Sequence, residues 1–108
     1  MELAQHYTPQ QTNIYHLFDH VDTPQLKPLI KASRKAMTNL TLDFSQVQSL
    51  DMNSLKGLIK LVKNYRQQNL TVSLMDVPMT VQTYLELTQI DQLFANDPSQ
   101  HLHLPYSA

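Results

Sequence analysis

The sequence predicts an α/β fold in which helices pack on one largely parallel β-sheet. Two observations indicate this class: strand-like and helix-like segments alternate along the chain, and apolar residues recur at helical spacing between the strand-like runs. Alternation of this kind favours parallel strands joined by right-handed crossovers. No repeat, linker or low-complexity stretch divides the 108 residues, so we expect one domain over residues 1–108.

Three segments are predicted as strands because they are rich in β-branched, aromatic and leucine side chains. They are "TNIYHLF" (12–18), "LTLDF" (40–44) and "LTVSLM" (70–75). A further short strand is a candidate around Leu102–Leu104 in the C-terminal tail. In parallel sheets, sites form beyond the carboxyl ends of the strands, which directs attention to the junction "SLDMNSLKG" (49–57).

The first helix is predicted to begin after Thr23, a residue type that caps helices, with Pro24 at its first position. Proline inside a helix removes a hydrogen bond and clashes with the preceding turn, so Pro28 should delay or bend this helix. Its inward-facing positions follow at helical spacing. They are Leu26, Leu29, Ile30, Ser33 and Met37.

The second and third helices are predicted from the same periodicity. The second helix places five residues on one face: Leu55, Leu58, Ile59, Val62 and Tyr65. A basic stripe lies on its opposite face and consists of Lys56, Lys60 and Lys63, to which Arg66 is a candidate addition. The third helix spans about 78–88, and its inward-facing residues are Val81, Tyr84, Leu85 and Thr88.

Composition and charge argue against several classes of function. With a net charge of −1, the chain lacks the basic surplus that nucleic-acid binders carry. It has no cysteine, which removes disulfides, thiolate catalysis and cysteine zinc sites and fits a reducing compartment. There is no signal-peptide pattern and no run of about 18 apolar residues, so we expect a cytoplasmic protein without membrane insertion.

No motif for catalysis or for a cofactor stands out. One glycine cannot form a glycine-rich phosphate loop, and no Ser-His-Asp arrangement can be read from spacing alone. Histidines near the first turn and in the tail do not supply three or four metal ligands at convincing spacing. These histidines are His16, His20, His101 and His103. We therefore expect neither an enzyme nor a metal protein, and no cofactor.

The segments from 40 to 94 resemble, in their order, a STAS domain, the fold of bacterial anti-sigma-factor antagonists. The family's strand ending in Asp, its "DSSGL" junction and its amphipathic helix correspond to "LTLDFSQVQSLDMNSLKGLIKLVKNYRQ". Its next strand and its "LeltGLdklf" segment correspond to "NLTVSLMDVP" and "YLELTQIDQLF". Its "GELDH"-like stretch corresponds to "HLFDH", which places Asp19 on the family's aspartate.

The resemblance implies a fold, over about residues 12–94, with 95–108 as a tail. The implied fold is a STAS-like α/β sandwich with a mixed, mostly parallel sheet of four to five strands and three to four helices. Four glycines of the family pattern are replaced by other residues, namely His16, Ser54, Asn69 and Gln89. The one glycine, Gly57, lies inside the second helix, where we expect it to allow close packing of the helix on the sheet.

In the family, a serine or threonine after the junction aspartate is phosphorylated by a partner kinase that is also the anti-sigma factor, and the phosphate breaks their complex. Asp51 matches that aspartate, but the acceptor position is Met52, which has no hydroxyl. The resemblance therefore implies docking at this junction without the usual switch. The residues expected to contact the partner are Asp19, Asp51, Met52, Asn53, Ser54 and Lys56.

Several alternatives stay open from the sequence. Asp51 is either a docking residue or a helix N-cap, and Met52 is either a surface contact or a core residue. Ser54 is the nearest alternative phosphorylation target, although a serine there more often caps a helix. Ser45 and Ser49 are more distant hydroxyls, and the lysine stripe is either a partner contact or a solvated helix face. The implied partner is an anti-sigma factor of the serine-kinase type. A second implied role is that of a STAS subunit bound to the ATPase of a lipid-transport ABC system. A third hypothesis, less favoured, is an enzyme or metal protein that shares only the fold.

Overall fold

Strands and helices alternate along the part of the chain that the computed structural model describes, residues 12–95. This confirms the α/β class and the order of its elements. The strands are β1 (Thr12–Val21), β2 (Asn39–Leu50) and β3 (Val72–Met75). The helices are α1 (Thr23–Ser33), α2 (Met52–Arg66) and α3 (Met79–Leu87), followed by a short 3₁₀ helix (Ile90–Leu93).

The described strands form one parallel sheet in the order β1-β2-β3. The four to five strands expected from the sequence are not confirmed, and the candidate strand at Leu102–Leu104 lies outside the described residues. Beyond β3, Ala95 forms an isolated parallel bridge to Ser73. The central strand β2 pairs with β3 only up to Asp43 but with β1 as far as Leu50, so the β1–β2 pair extends beyond β3 to the β2–α2 junction.

β1 and β2 both extend beyond the predicted segments 12–18 and 40–44, because irregularities in their pairing weaken the alternating pattern by which strands are recognised. Their register is irregular at two places, between His16 and Phe18 and between Asp19 and His20, where β2 uses one extra residue each time. Bulges of this kind interrupt the alternation of inward and outward side chains. The period-2 signal therefore fades after Phe44, although the strand continues to Leu50.

The core is built from leucines, valines and aromatic side chains of the sheet and of the three helices. On α2, four of the five residues predicted to face inward are buried, and Ile59 is partly buried. Leu61 is also fully buried, although it was not on the predicted face. The helical face is thus wider than the pattern indicated, as is usual for a helix covered by both a sheet and a neighbouring helix.

Gly57 makes a close contact with a helix and not with the sheet. A Cβ atom at this position would lie 3.2 Å from Cδ1 of Leu26 and 3.4 Å from Cδ1 of Ile30, both of which belong to α1. The expectation that this glycine serves packing on the sheet is therefore corrected. It gives α1 and α2 their close approach, at a cost of about 1 kcal/mol in helix propensity relative to alanine.

The start of α1 differs from the prediction by one residue. Asp22, and not Thr23, is the N-cap, and its carboxylate accepts the backbone N–H of Gln25 at 3.0 Å. The helix runs through Pro28 to Ser33 without interruption. Met37, which was predicted to lie on the inward face, follows the helix and is 89% exposed.

Two positions where the family pattern has glycine adopt the left-handed backbone conformation that glycine favours. Asn69 has φ 61° in the turn after α2, and Gln89 has φ 62° between α3 and the 3₁₀ helix. Asparagine tolerates this region well, whereas a residue such as glutamine adopts it at a cost of about 1–2 kcal/mol. At these two of the four replaced positions, the backbone is therefore left-handed although the residue is not glycine.

Candidate functional site

The junction between β2 and α2 is organised around Asp51, which caps the helix. Asp51 has an extended backbone, and its Oδ1 accepts the backbone N–H of Ser54 at 2.8 Å. This bond satisfies one of the N–H groups that a helix leaves free in its first turn. Hydrogen bonding from Ser54 holds the pKa of the Asp51 carboxyl below its ordinary value, with a smaller contribution from His20. The carboxylate is therefore charged at the positive end of the helix dipole.

Ser54 faces the interior of the protein and not a partner. Its side chain is fully buried, and its hydroxyl donates to the backbone carbonyl of Val21 at 2.5 Å. A kinase cannot reach a hydroxyl in this environment without local unfolding. The structure thus argues against Ser54 both as a phosphorylation target and as a direct partner contact, because its hydroxyl joins the first turn of α2 to the last residue of β1.

His20 connects the end of β1 to the same junction. Its Nδ1 lies 2.7 Å from Oγ of Ser49, and its Nε2 lies 3.4 Å from Oδ2 of Asp51. Neither contact was predicted from the sequence. They follow from the parallel pairing of His20 with Ser49, which is displaced from simple register by the two irregularities in the strands. Because local patterns do not carry such long-range register, no signal in the sequence could have found this cluster.

The residues that remain available at the junction lie on the first turns of α2. Met52 is its first residue and is 55% exposed, and Asn53 and Lys56 are exposed as well. Met52 and Lys56 are four residues apart and so lie on one helix face. An apolar side chain is thereby presented to solvent beside a cation, on a backbone that the Asp51 cap and the buried Ser54 hold rigid.

The basic stripe continues this face along α2. Lys56, Lys60 and Lys63 are exposed, and within residues 12–95 none of them forms an ion pair or a side-chain hydrogen bond. Arg66 differs, since its Nη2 donates to the backbone carbonyl of Leu93 at 3.0 Å. Arg66 is therefore bonded within the fold, whereas the three lysines remain free to contact a partner.

Asp19 lies near the junction through the parallel pairing of β1 and β2. It is exposed, pairs with Val47 and directly precedes His20. Its φ of 54° places it in the left-handed region, at the irregularity near the end of β1. The predicted site residues therefore differ in their exposure to solvent. Asp19, Met52, Asn53 and Lys56 are exposed, Asp51 is half-exposed, and Ser54 is buried.

Histidines outside the junction do not form a metal centre in the described part of the chain. His16 is exposed, and its Nδ1 lies 2.6 Å from Oδ2 of Asp43. These two side chains are too few to form a metal site. From residue 12 to residue 95, no group of three or more His, Cys, Asp or Glu side chains could hold a metal ion. Two further candidate histidines lie outside the described residues: His101 and His103. Over the same range, no helix has both the length and the apolar character needed to cross a membrane.

Comparison with known proteins identifies both a family and a fold. The family model described as the STAS domain matches residues 11–104. Among solved structures, the chain is similar to the STAS domain of a SulP transporter from Vibrio cholerae, with a TM-score of 0.69 and 19% sequence identity. This match covers 87% of the present chain and 78% of the other. A search of curated proteins finds no match. STAS domains are protein-interaction modules, which makes the exposed junction a candidate docking surface.

Proposed function

Since this chain belongs to the STAS domain family, we propose that it is a regulatory module that docks a partner protein through the junction 49–57. In this proposal the protein acts in the cytoplasm in the manner of an anti-sigma-factor antagonist and has no catalytic activity of its own. Its partner is an anti-sigma factor of the serine-kinase type. The partner contacts are Asp19, Asp51, Met52, Asn53 and Lys56.

One observation carries this proposal: Met52, the first residue of α2, is 55% exposed although it is large and apolar. Single exposed apolar residues are common on protein surfaces and need no explanation by themselves. Here, however, the residue stands on a helix start that is fixed by the Asp51 cap and by the buried bond from Ser54 to Val21. A fixed backbone reduces the entropy that is lost on docking, while the flexible thioether of Met52 can adapt to the surface that covers it.

The proposal includes the loss of phosphorylation control at the family's usual position. Met52 carries a thioether, which cannot accept a phosphoryl group. The nearest hydroxyl, that of Ser54, is buried and hydrogen-bonded. Docking at this surface would then be controlled by the amount of protein or by the state of the partner, and not by phosphate on either of these two residues.

The second candidate function is that of a STAS subunit bound to a transporter, such as the ATPase of a lipid-transport ABC system. The likeness to the STAS domain of a SulP transporter is one of fold, and it makes transport proteins the second class of partner to test. Both candidates use a docking surface. They differ in the identity of the protein that is captured, which the experiment below determines.

The test is affinity capture from a lysate of the source cells, followed by mass spectrometry and by a binding assay with the purified partner. Met52→Asp places a charge at the docking surface and should abolish capture. Met37→Asp is the matched control, because Met37 is 89% exposed and follows α1, away from the junction. If the wild-type and Met37→Asp proteins capture a kinase and Met52→Asp does not, the anti-sigma-factor candidate is supported. If they capture an ABC ATPase and Met52→Asp does not, the transporter candidate is supported. Equal capture by Met52→Asp contradicts the placement of the interface.

A second measurement tests the missing switch. Intact-mass analysis after incubation with a captured kinase and ATP should show no phosphate on the wild-type protein. A Met52→Ser variant restores a hydroxyl at the exposed first position of α2 and should gain one phosphate. Phosphate on the wild-type chain would show that another residue serves as the acceptor.

A further inference from the structure

The central strand β2 has an open edge next to the candidate docking junction. It pairs with β3 only as far as Asp43, opposite Met75, but with β1 as far as Leu50. Among the described residues, no backbone–backbone hydrogen bond joins 44–50 to any element other than β1. One N–H in this stretch, that of Ser45, donates to the Asp43 carboxylate at 2.9 Å. The edge is open over about 20 Å, at about 3.3 Å per residue, and such an edge is a template for another strand.

Helix α3 packs against β2 on this side and leaves a cleft of about 260 Å³ between them. Three residues of β2 and three of α3 line the cleft: Gln48, Ser49, Leu50, Thr80, Val81 and Tyr84. Leu50 and Val81 are buried and Tyr84 is half-buried, so the base of the cleft is apolar. A groove between a strand edge and a helix suits an extended peptide, because its backbone pairs with the strand while alternate side chains enter the groove.

The size of the cleft fits one large side chain of such a peptide. Sites for drug-sized ligands usually measure about 300–1,000 Å³, and this cleft falls below their range. None of the six lining residues is charged, so the cleft itself offers no ionic partner to a small charged ligand. Single large apolar side chains that fill clefts at protein interfaces contribute much of the binding energy.

A carboxylate follows the strand residue at each end of the open edge. Asp76 comes directly after Met75, the residue of β3 that pairs with Asp43 where the pairing of β2 and β3 stops. It is exposed, and its φ of 54° bends the chain at the end of β3. Asp51 comes directly after Leu50, the last residue of β2, and is half-exposed.

Asp51 is connected to the rim of the cleft through His20. The Nε2 atom of His20 lies 3.4 Å from Oδ2 of Asp51, and its Nδ1 lies 2.7 Å from Oγ of Ser49, which lines the cleft. No lysine or arginine is among the lining residues. Because the ends of the open edge carry negative charge, the surroundings favour a cationic segment over an acidic one.

We propose that the partner inserts an extended segment between β2 and α3, where its backbone adds a strand to the open edge of β2. One large apolar side chain of this segment lies against Leu50, Val81 and Tyr84. A lysine or arginine at each end pairs with the carboxylates of Asp51 and Asp76. The proposal rests on the docking function proposed above and specifies how the partner binds beside the junction. Backbone pairing supplies affinity, and the side chain in the cleft supplies specificity.

The proposal can be tested without the natural partner. The probe is a short synthetic peptide of alternating valine and threonine with one central tryptophan and a lysine at each end. It is titrated into the full ¹⁵N-labelled chain and followed by amide chemical shifts and hydrogen exchange. Shifts should appear at Ser49, Leu50 and Val81, and exchange should slow within 44–50. Absence of binding overturns the proposal.

N-methylated peptides distinguish strand addition from binding through side chains alone. Two versions are compared, each methylated on one of the two alternating sets of backbone amides. Only one set of amides in an added strand faces β2, so one version should bind at least roughly tenfold more weakly while the other binds much as the parent does. Alanine in place of tryptophan, or glutamate in place of lysine, should each weaken binding roughly tenfold. Equal binding of the two methylated versions overturns the proposal.

Matched variants of the protein place the peptide. Thr80→Phe narrows the cleft from its rim and should weaken the peptide roughly tenfold, whereas Thr83→Phe changes an exposed threonine outside the cleft lining and should not. Asp76→Asn removes a charge and keeps a residue type that tolerates φ 54°, so it should weaken binding, while Asp91→Asn in the 3₁₀ helix should not. Unchanged binding by Thr80→Phe contradicts the assignment of the cleft.

The captured partner separates this proposal from the docking function. Loss of the partner in both Met52→Asp and Thr80→Phe supports both proposals. If only Met52→Asp loses it, the docking function stands and strand addition is refuted. If only Thr80→Phe loses it, the cleft is supported and the placement of the docking surface at Met52 fails. If neither variant loses it, both proposals fail, provided that circular dichroism shows each variant to be folded.

Discussion

The side-chain hydroxyl of Ser54 donates a hydrogen bond to the backbone carbonyl of Val21 at 2.5 Å, and so joins the start of α2 to the end of β1. The two residues are 33 positions apart in the chain. Asp51 caps the same turn by accepting the backbone N–H of Ser54. Ser54 is therefore held through its backbone N–H as well as through its hydroxyl. The position of Met52 on the surface depends on this arrangement.

Ser54→Ala should destabilise the protein by about 1–3 kcal/mol, because it removes a buried hydrogen bond and leaves the Val21 carbonyl with less compensation for burial. Chemical denaturation of the variant and the wild type measures the difference. Asn53→Ala is the control, since Asn53 is exposed and should change stability by less than about 0.5 kcal/mol. Equal stability of the two variants would mean that the bond to Val21 contributes nothing.

Asp51→Asn should remove part of the dependence of stability on pH. The pKa of Asp51 is lowered in the folded protein by the hydrogen bond from Ser54. A lowered pKa stabilises the fold at pH values above the unfolded pKa of about 3.9, and this contribution is lost as pH falls through the folded pKa. Asparagine still caps a helix but has no charge.

The wild-type protein should therefore be more stable than Asp51→Asn at neutral pH, and the difference should shrink as pH is lowered from about 5 towards 2. Thermal unfolding at a series of pH values measures it. Glu86→Gln is the control, because Glu86 is an exposed carboxylate whose partner is the side chain of Gln82. A constant difference between wild type and Asp51→Asn across this range contradicts the expectation.

Substitutions of Gly57 should test the close approach of α1 and α2. Alanine adds about 1 kcal/mol of helix propensity, but its Cβ would lie 3.2 Å from Leu26 Cδ1, so the two effects should nearly cancel. Gly57→Leu cannot fit and should cost about 1–3 kcal/mol by overpacking. Denaturant midpoints at equal slope give both values. A leucine variant as stable as the wild type would show that the helices separate easily at this point.

Gln89→Gly should stabilise the protein, because Gln89 has φ 62° and glycine adopts this conformation without steric cost. Relief of about 1–2 kcal/mol of strain is partly offset by the greater entropy of glycine in the unfolded chain, so we expect a net gain of about 0.5–1 kcal/mol. Gln92→Gly, in the 3₁₀ helix that follows, is the control and should destabilise. A loss of stability at both positions would contradict the role assigned to the backbone at Gln89.

The sequence by itself determined the α/β class, the order of its elements and many, but not all, of the inward-facing positions of the helices. Leu55, Leu58 and Val62 are buried as their spacing predicted. Asp51 and Met52 could also be placed correctly at the start of α2, since capping and helical periodicity depend on residues a few positions apart. For the same reason the exposed lysine stripe was predictable from spacing within one helix.

Only the tertiary structure decided which side chains at the junction are available. The burial of Ser54 against Val21, and the contacts of His20 with Ser49 and Asp51, join residues about 30 positions apart in the chain. These contacts depend on parallel register between β1 and β2, which two irregularities displace. Register is set by the packing of whole strands and helices, and a local pattern of residue types does not encode it.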